Sequence, residues 1–368
     1  MTTLMRPALR TITRNTRDAH AGLLQQRGLS QWESGEKPEK NKLIERITHT
    51  TVPDHYRLAL ARWIGLTRNN NRFTSAVLHC ENRLYIGLTT GSTLETGIQT
   101  HHSYGMPYLP GSSIKGAVRH YAEQNGIPPA YLEELFGSDS DTGEVSGALV
   151  WHDAWWLPLN ERERPYISEV ITVHHQDYYN GKTSQADGSE SPIPNLQIAT
   201  GGGYYFVIEG PPDWTRYALG LLNATLEQQG IGSKTASGYG YFRSDNHAAY
   251  DKRINDIHNL WIKNQKAANE SVRVAALPAH ERLAHDILIR LSEHAKTYSD
   301  RNQEKNLQLH RIILEELQQA TNNLDPAART QLADALAFPT LNAACKGFYS
   351  GKKEKEIKAV LRQLRGEA

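Results

Sequence analysis

The sequence predicts an α+β protein: a ferredoxin-like core over residues 71–246, an N-terminal arm and helix over 1–70, and an α-helical C-terminal extension over 247–368. Three observations predict it. Strand-like runs and helical stripes alternate up to Asn246, with two helices between strands. Beyond Asn246 glycine almost vanishes, and Ala, Leu, Glu, Gln and Arg recur at helical spacing. Of 368 residues, 39% are hydrophobic and 22% charged, which allows a buried core in one large domain or two modest ones.

The elements follow in order. Arg6, Arg10, Arg14 and Arg17 fall three or four apart, the spacing of one helical face, and a solvated arm is their simplest account. Residues 28–42 read as a loop. A helix is predicted over 54–64, after Pro53, with Leu58, Ala61 and Trp63 among its apolar members. Strands follow over 75–79 and 83–88, joined by a turn at Cys80-Glu81-Asn82. A helix then starts with Ser112 or Ser113 as N-cap, carries Ile114, Ala117, Val118 and Tyr121 as a stripe, and closes at Asn125-Gly126. A short helix over 129–136 ends at Gly137, and 138–144 form an acidic turn. Strands are predicted over 147–151 and 203–208, separated by a polar loop over 180–195. A helix over 213–229 presents Trp214, Tyr217, Leu221, Leu222 and Leu226. In the extension, Leu283, Ile287, Leu288, Leu291 and Ala295 share a face, as do Leu309, Ile313 and Leu317. Asp325-Pro326 marks a helix start, as a cap followed by proline at the first helical position.

The net charge is +1, so overall charge gives no drive toward indiscriminate polyanion binding. A nucleic-acid-binding face would have to concentrate its basic groups locally. Two distant cysteines, Cys80 and Cys345, imply no disulfide framework and point to a reducing cytosol. No run approaches the ~18 apolar residues of a membrane span, and no apolar run follows the first residues, so neither a membrane partner nor a secretory signal is expected.

Two glycine-rich segments carry the chemistry. In the first, Leu109 to Gly116, Gly111 lets the backbone approach a ligand, and the following amides, Ser112, Ser113 and Lys115 suit a phosphate. Arg119 adds a positive group one turn on. An ordinary capped helix after a turn accounts for the same residues. The P-loop pattern is absent, so nucleotide hydrolysis finds no support. The second segment, Gly230 to Gly240, holds Gly232, Ser233, Lys234, Thr235 and Tyr239. Its amides could follow a phosphodiester and Tyr239 could stack on a base. A hairpin turn is the alternative. No strand–turn–helix context follows, so no dinucleotide cofactor is expected, nor any other.

Taken together, residues 87–119, the run Gly147-Ala148-Leu149-Val150-Trp151-His152-Asp153-Ala154, the stretch Val170 to His175 followed by Tyr178-Tyr179, and the second glycine-rich loop resemble the RAMP superfamily of CRISPR-associated proteins. The resemblance covers residues 20–245 and leaves out the helical extension. It implies an RRM-like core and a guide-RNA (crRNA)-binding structural subunit of a type III-B effector complex. Such a subunit holds the 3′ part of the guide and the guide–target duplex. Its partners would be the guide, complementary target RNA and other RAMP subunits. The residues implied to meet RNA are Gly111, Ser112, Ser113, Lys115, Arg119, His174, His175, Tyr178, Tyr179, Gly232, Ser233, Lys234, Thr235 and Tyr239. Target cleavage in such complexes belongs to a different subunit, through a loop aspartate. Asp139 and Asp141 lack that context, and catalysis is not carried over to them.

His101-His102 and His174-His175 have no cysteine or carboxylate at metal-ligand spacing, and neighbours on a strand face opposite ways. RNA contact or packing accounts for them better than catalysis. The enzymatic alternative is a metal-independent guide-processing endoribonuclease using His174 or His175. A third reading is an assembly protein whose loops touch only neighbouring subunits. Trp151, Trp155 and Trp156 read as core or subunit interface. The basic stretch from Lys346 to Arg365 reads as a solvated helix face, with an RNA or subunit contact as its alternative.

Overall fold

The computed structural model describes residues 2–6, 9, 18–32, 37–68, 71–88, 94–138, 145–173, 176–185, 193–244, 247–299 and 303–367. Strands β1 (Thr2–Thr3) and β2 (Gln31–Trp32) pair antiparallel beside helices α1 (Ala21–Arg27), α2 (Pro38–Thr48) and α3 (Asp54–Thr67). The chain continues through β3 (Phe73–Leu84), β4 (Tyr108–Leu109), α4 (Gly111–Gln124), α5 (Pro129–Phe136), β5 (Val150–Trp151) and β6 (Ala154–Leu157). It goes on through β7 (Tyr166–Val173), α6 (Gln176–Tyr179), β8 (Ile193–Glu209), α7 (Pro212–Gln228) and β9 (Phe242–Arg243).

The sheet has the order β4-β6-β8-β3-β9, with β5 and β7 also paired to β8. Every pairing is antiparallel. Strands β3, β6, β8 and β9, with α4–α5 and α7 between them, follow the β-α-β-β-α-β order, compatible with a ferredoxin-like plan. The long strand β8 is the axis. Its run Tyr204 to Ile208 is buried without alternation, because helices and loops cover both faces of the sheet there.

Three sequence expectations change. The turn at Cys80-Glu81-Asn82 is instead a register shift inside one continuous strand, with Cys80 buried and the next two residues exposed. Helix α2 begins at Pro38, inside the stretch read as a loop. Helix α3 buries Tyr56, Leu60, Ile64 and Thr67, whereas Leu58 is 64% exposed. The reason for this last change is long-range. Tyr56 donates from its hydroxyl to the Trp156 carbonyl at 2.7 Å, which turns the Tyr56 face toward the sheet. The first 70 residues are therefore no separate arm where they are described. Leu43, Ile44, Ile47, Tyr56, Leu60 and Ile64 share the sheet's core. Arg10, Arg14 and Arg17 lie outside the described residues.

The chain divides into two compact units, Met1–Ile262 and Lys263–Ala368. The division falls within α8 (His247–Ala275) rather than at its start, because Tyr250 and Ile254 join the first core. The second unit contains α9 (Ala279–Ala295), α10 (Gln303–Asn323), α11 (Pro326–Ala335), α12 (Phe338–Ala344) and α13 (Lys352–Arg365) around Ile287, Leu291, Ile313, Leu317, Leu332, Phe348 and Ile357. Asp325 caps α11 by accepting from the Ala328 amide at 2.9 Å, with Pro326 at the first helical position. No described helix is long and apolar enough to cross a membrane.

Candidate nucleic-acid interface

Helix α4 starts at Gly111, one residue before the expected serine cap, with Pro110 as N-cap. The first amide is already occupied: Gly111 N donates to Asp153 Oδ1 at 2.7 Å. The Asp153 carboxylate takes the Gly111 amide and is favourably placed against the helix dipole. Glycine is required at 111 for a second reason. A Cβ there would lie 2.0 Å from the Trp151 carbonyl oxygen. The close approach at Gly111 is to strand β5, not to a ligand. The Asp153-Ala154 run and the first glycine-rich segment are therefore one structural joint, with β6 also pairing to β4 at Leu109↔Ala154.

The rest of α4 presents two polar faces. Ser113, Ala117, His120 and Gln124 recur at helical spacing and line a cleft. Lys115 and Arg119 project roughly 200° and 240° round the helix from Ser113, at 100° per residue. They do not line the cleft. Arg119 pairs with Glu123 at 2.8 Å and reaches the Gly137 carbonyl at 3.5 Å. Ser112 is exposed outside the cleft.

The second segment is strapped to the end of β3. Ser233 N donates to Tyr85 O at 2.8 Å, Gly240 N to Arg83 O at 2.8 Å, and Ile231 N to Gly240 O at 2.9 Å. Gly232 takes φ +93°, and a Cβ on it would meet the Tyr85 carbonyl oxygen at 2.3 Å. Lys234, at φ +64°, is the non-glycine residue that accepts the left-handed region here, and its side chain is exposed. Among the described residues, the amides of Gly232, Thr235 and Ala236 have no acceptor in the fold. Tyr239 packs edge-on against Tyr85, with ring centroids 5.0 Å apart, so its ring serves the fold.

The cleft of about 710 Å³ brings the two segments together. One wall is Ser113, Ala117, His120 and Gln124; the other is Gly230, Ile231, Gly232, Ser233, Thr235 and Ala236. Gln228, Gln229 and Tyr241 complete it beside Ile86 and Gly87. Side chains bind across the gap: Gln229 Nε2 donates to Gln124 Oε1 at 2.5 Å, and Gln124 Nε2 lies 3.0 Å from His120 Nε2. Tyr121 donates from its hydroxyl to Gln228 Oε1 at 3.0 Å. Among the described residues, His120 is the one imidazole or carboxylate in the lining, and the cations Lys115 and Lys234 stand outside it. Sequence reasoning missed His120, Gln124, Gln228 and Gln229. The stripe 113, 117, 120, 124 was the available signal, a polar stripe beside the apolar one.

Other sequence candidates fall elsewhere. Tyr178 and Tyr179 are 43% and 76% exposed on α6, after β7, and do not line the cleft. His174 and His175 lie outside the described residues, as do Asp139 and Asp141. Trp156 is fully buried and donates to the Gly201 carbonyl at 2.8 Å, Trp151 stacks on Phe136, and Trp155 stacks on Tyr56. All three serve the core. Among the described residues, no cluster of three His, Cys, Asp or Glu could hold a metal ion.

His101 is a packing residue. Its ring lies 4.4 Å from both Tyr108 and Trp155, while His102 is exposed. Burial pushes the His101 pKa down to about 4. The folded state therefore favours the neutral ring. Its contribution is complete above the unfolded value of about 6.5 and is lost as pH falls toward 4, up to about 3 kcal/mol in all. Denaturant unfolding at pH 7 and at pH 4 should show this loss, and His101→Gln should reduce it. Parallel losses in both proteins would assign the acid sensitivity to other groups.

Residues 77–243 match the RAMP superfamily. The chain is 30% identical over 169 residues to the CRISPR system CMR subunit Cmr6 of Saccharolobus solfataricus, covering 44% of this chain and 54% of that protein. It is 26% identical to the Cmr6 subunit of Pyrococcus furiosus, covering 44% of this chain and 64% of the other. The chain thus spans between about half and two thirds of the length of these relatives. Among solved structures, a chain of the type III-B Cmr-beta complex bound to cognate target RNA is similar at a TM-score of 0.43 and 25% identity, covering 58% of this chain and 76% of that one.

Proposed function

We propose that this chain, whose residues 77–243 form a RAMP-superfamily core similar to that of Cmr6 subunits, is a guide-RNA-binding structural subunit of a type III-B CRISPR effector complex. In this reading it holds the 3′ part of the guide and the guide–target duplex, beside other RAMP subunits. The observation that carries it is the cleft. Two segments more than 100 residues apart in sequence form its opposite walls, and one wall offers the uncommitted amides of Gly232, Thr235 and Ala236. Backbone amides suit phosphate oxygens, and the Gln124, Gln228 and Gln229 amides suit sugar hydroxyls or base edges. Lys115 and Lys234 supply charge outside the walls.

A non-catalytic role is part of this reading. Metal-free RNA cleavage needs an acid and a base on either side of the scissile phosphate. Among the described residues, the cleft lining holds one imidazole, that of His120, and no carboxylate.

Salt-dependent RNA binding tests the reading. Each lost phosphate contact on single-stranded RNA should lower the salt slope by about 0.7, so Lys115→Ala with Lys234→Ala should lower it by about 1.4 and weaken affinity. The variant should melt close to the parent, because Lys234 is exposed and Lys115 is no more than half-buried. An unchanged affinity and slope would sink the assignment of these segments to RNA, and would favour contacts to neighbouring subunits instead.

A further inference from the structure

The helical unit holds a cavity of about 520 Å³ between α10 and the start of α13. The buried face of α10 runs Asn306, His310, Ile313, Leu317 and Ala320. Its first two positions are polar where the others are apolar. Asn306 has a structural explanation: its Oδ1 lies 2.7 Å from His294 Nε2, and its Nδ2 donates to Ser299 O at 3.1 Å. His310 is explained only in part. It is 2% exposed, its Nε2 lies 2.9 Å from Glu356 Oε2, and its Nδ1 has no partner among the described residues. A buried ring nitrogen left bare is unfavourable, and a leucine would simply have extended the apolar stripe. What His310 secures is the Glu356 carboxylate on the cavity wall, which Lys352 also approaches at 3.6 Å. The hydrogen bond from His310, with help from Lys352, holds the Glu356 carboxyl below its usual range.

We propose that this cavity binds the phosphate of a small phosphomonoester of about mononucleotide size. Arg311 comes from α10, and Lys352 and Lys353 from the first turn of α13, against Glu356 as the single carboxylate of the lining among the described residues. That carboxylate is already engaged by His310 and Lys352. Helix α13 opens at Gly351 with no side-chain cap, so its leading amides add partial positive charge on the same side. Leu307, Leu314 and Tyr298 give the cavity an apolar wall for the body of the ligand. Its volume falls within the roughly 300–1,000 Å³ of small-molecule sites. Charge is distributed to match. Residues 263–368 hold 17 Lys and Arg against 13 Asp and Glu, whereas residues 1–262 hold 24 against 27. The unit that contains the cavity therefore carries the chain's positive excess, which concentrates anions near it.

This site lies outside residues 77–243 and does not depend on the guide-RNA reading. A free mononucleotide and the phosphorylated end of an RNA present the same group, and the test separates them. Calorimetric titration of the full chain would use AMP, adenosine, and one RNA sequence with a 5′-phosphate or a 5′-hydroxyl. AMP is expected to saturate a site that adenosine does not. Arg311→Gln with Lys352→Gln should weaken it about tenfold or more, the scale of losing charge-assisted phosphate contacts. Both residues are exposed, so folding is not at stake. His310→Gln, with its melting curve, tests the buried support separately and should also weaken AMP. If only the 5′-phosphorylated RNA gains affinity over its hydroxyl twin, and the double variant removes that gain, the phosphate is an RNA end. The proposal is overturned if neither AMP nor the 5′-phosphate gives saturable binding, or if the double variant binds as the parent does.

Discussion

Gly111→Ala should disrupt the first core, with a loss of about 3 kcal/mol or more. The methyl group would sit 2.0 Å from the Trp151 carbonyl oxygen and 2.9 Å from its carbonyl carbon, and both atoms are backbone. Neither can step aside cheaply. Trp151 pairs with Ile208 in the sheet, and its indole stacks on Phe136 with centroids 5.5 Å apart. The other side is held as firmly, because the Gly111 amide donates to Asp153. Against a total stability of about 5–15 kcal/mol, such a loss removes much of the folded margin. Gly116→Ala is the control in the same helix. Nothing lies within 4 Å of a Cβ at 116, and alanine there should stabilise the helix by about 0.5–1 kcal/mol. Urea unfolding of the two variants should move the midpoint in opposite directions. A Gly111→Ala midpoint within error of the parent would overturn the close approach of α4 to β5.

Gly232→Ala should leave the fold standing and remove the cleft. Its φ of +93° is strained for any L side chain, and its Cβ would press on the Tyr85 carbonyl oxygen that accepts from Ser233 N. The loop must lift off the end of β3 to relieve both. The cleft wall then loses the placement of the Gly232, Thr235 and Ala236 amides. RNA affinity should drop about tenfold or more, the equivalent of at least one charge-assisted bond at roughly 1.4 kcal/mol per decade. Gly238→Ala separates strain from collision, because its φ is +85° while nothing lies within 4 Å of a Cβ there. It should cost stability of about 1–2 kcal/mol and affect RNA affinity less. Equal binding by Gly232→Ala and the parent would mean that RNA does not use this loop.

The two glycines show how far the sequence reaches. Gly111 and Gly232 both stand out in the sequence as places where backbone comes close to something. Its partner was the open question. At Gly111 the partner is Trp151, 40 positions along the chain, and the Asp153 carboxylate takes the Gly111 amide. At Gly232 it is Tyr85, and the loop lines a cleft with residues whose amides have no acceptor in the fold. Arg119 and Tyr239 read in sequence as ligand groups, yet Glu123 and Tyr85 already engage them. His120, Gln124 and Gln229 read as unremarkable surface, yet they are linked across the cleft from positions 105 residues apart.

Features that depend on near neighbours were legible. The Asp325-Pro326 cap, the stripe Ile313 and Leu317, the change of texture after Asn246, and the α4 and α7 helices all follow from backbone geometry and side chains within a turn or two. The resemblance to the RAMP superfamily was legible in part for a related reason, since two of the stretches that carry it, around Gly111 and Asp153, form the joint between β4, α4 and β6. Long-range packing decided the rest. It made the Cys80 turn a bulge within β3, turned Leu58 outward, drew the start of α8 into the first core, and separated Lys115 from the cleft its helix lines. Such choices depend on which distant backbone and side-chain atoms compete for the same space, and spacing along the chain does not encode that directly.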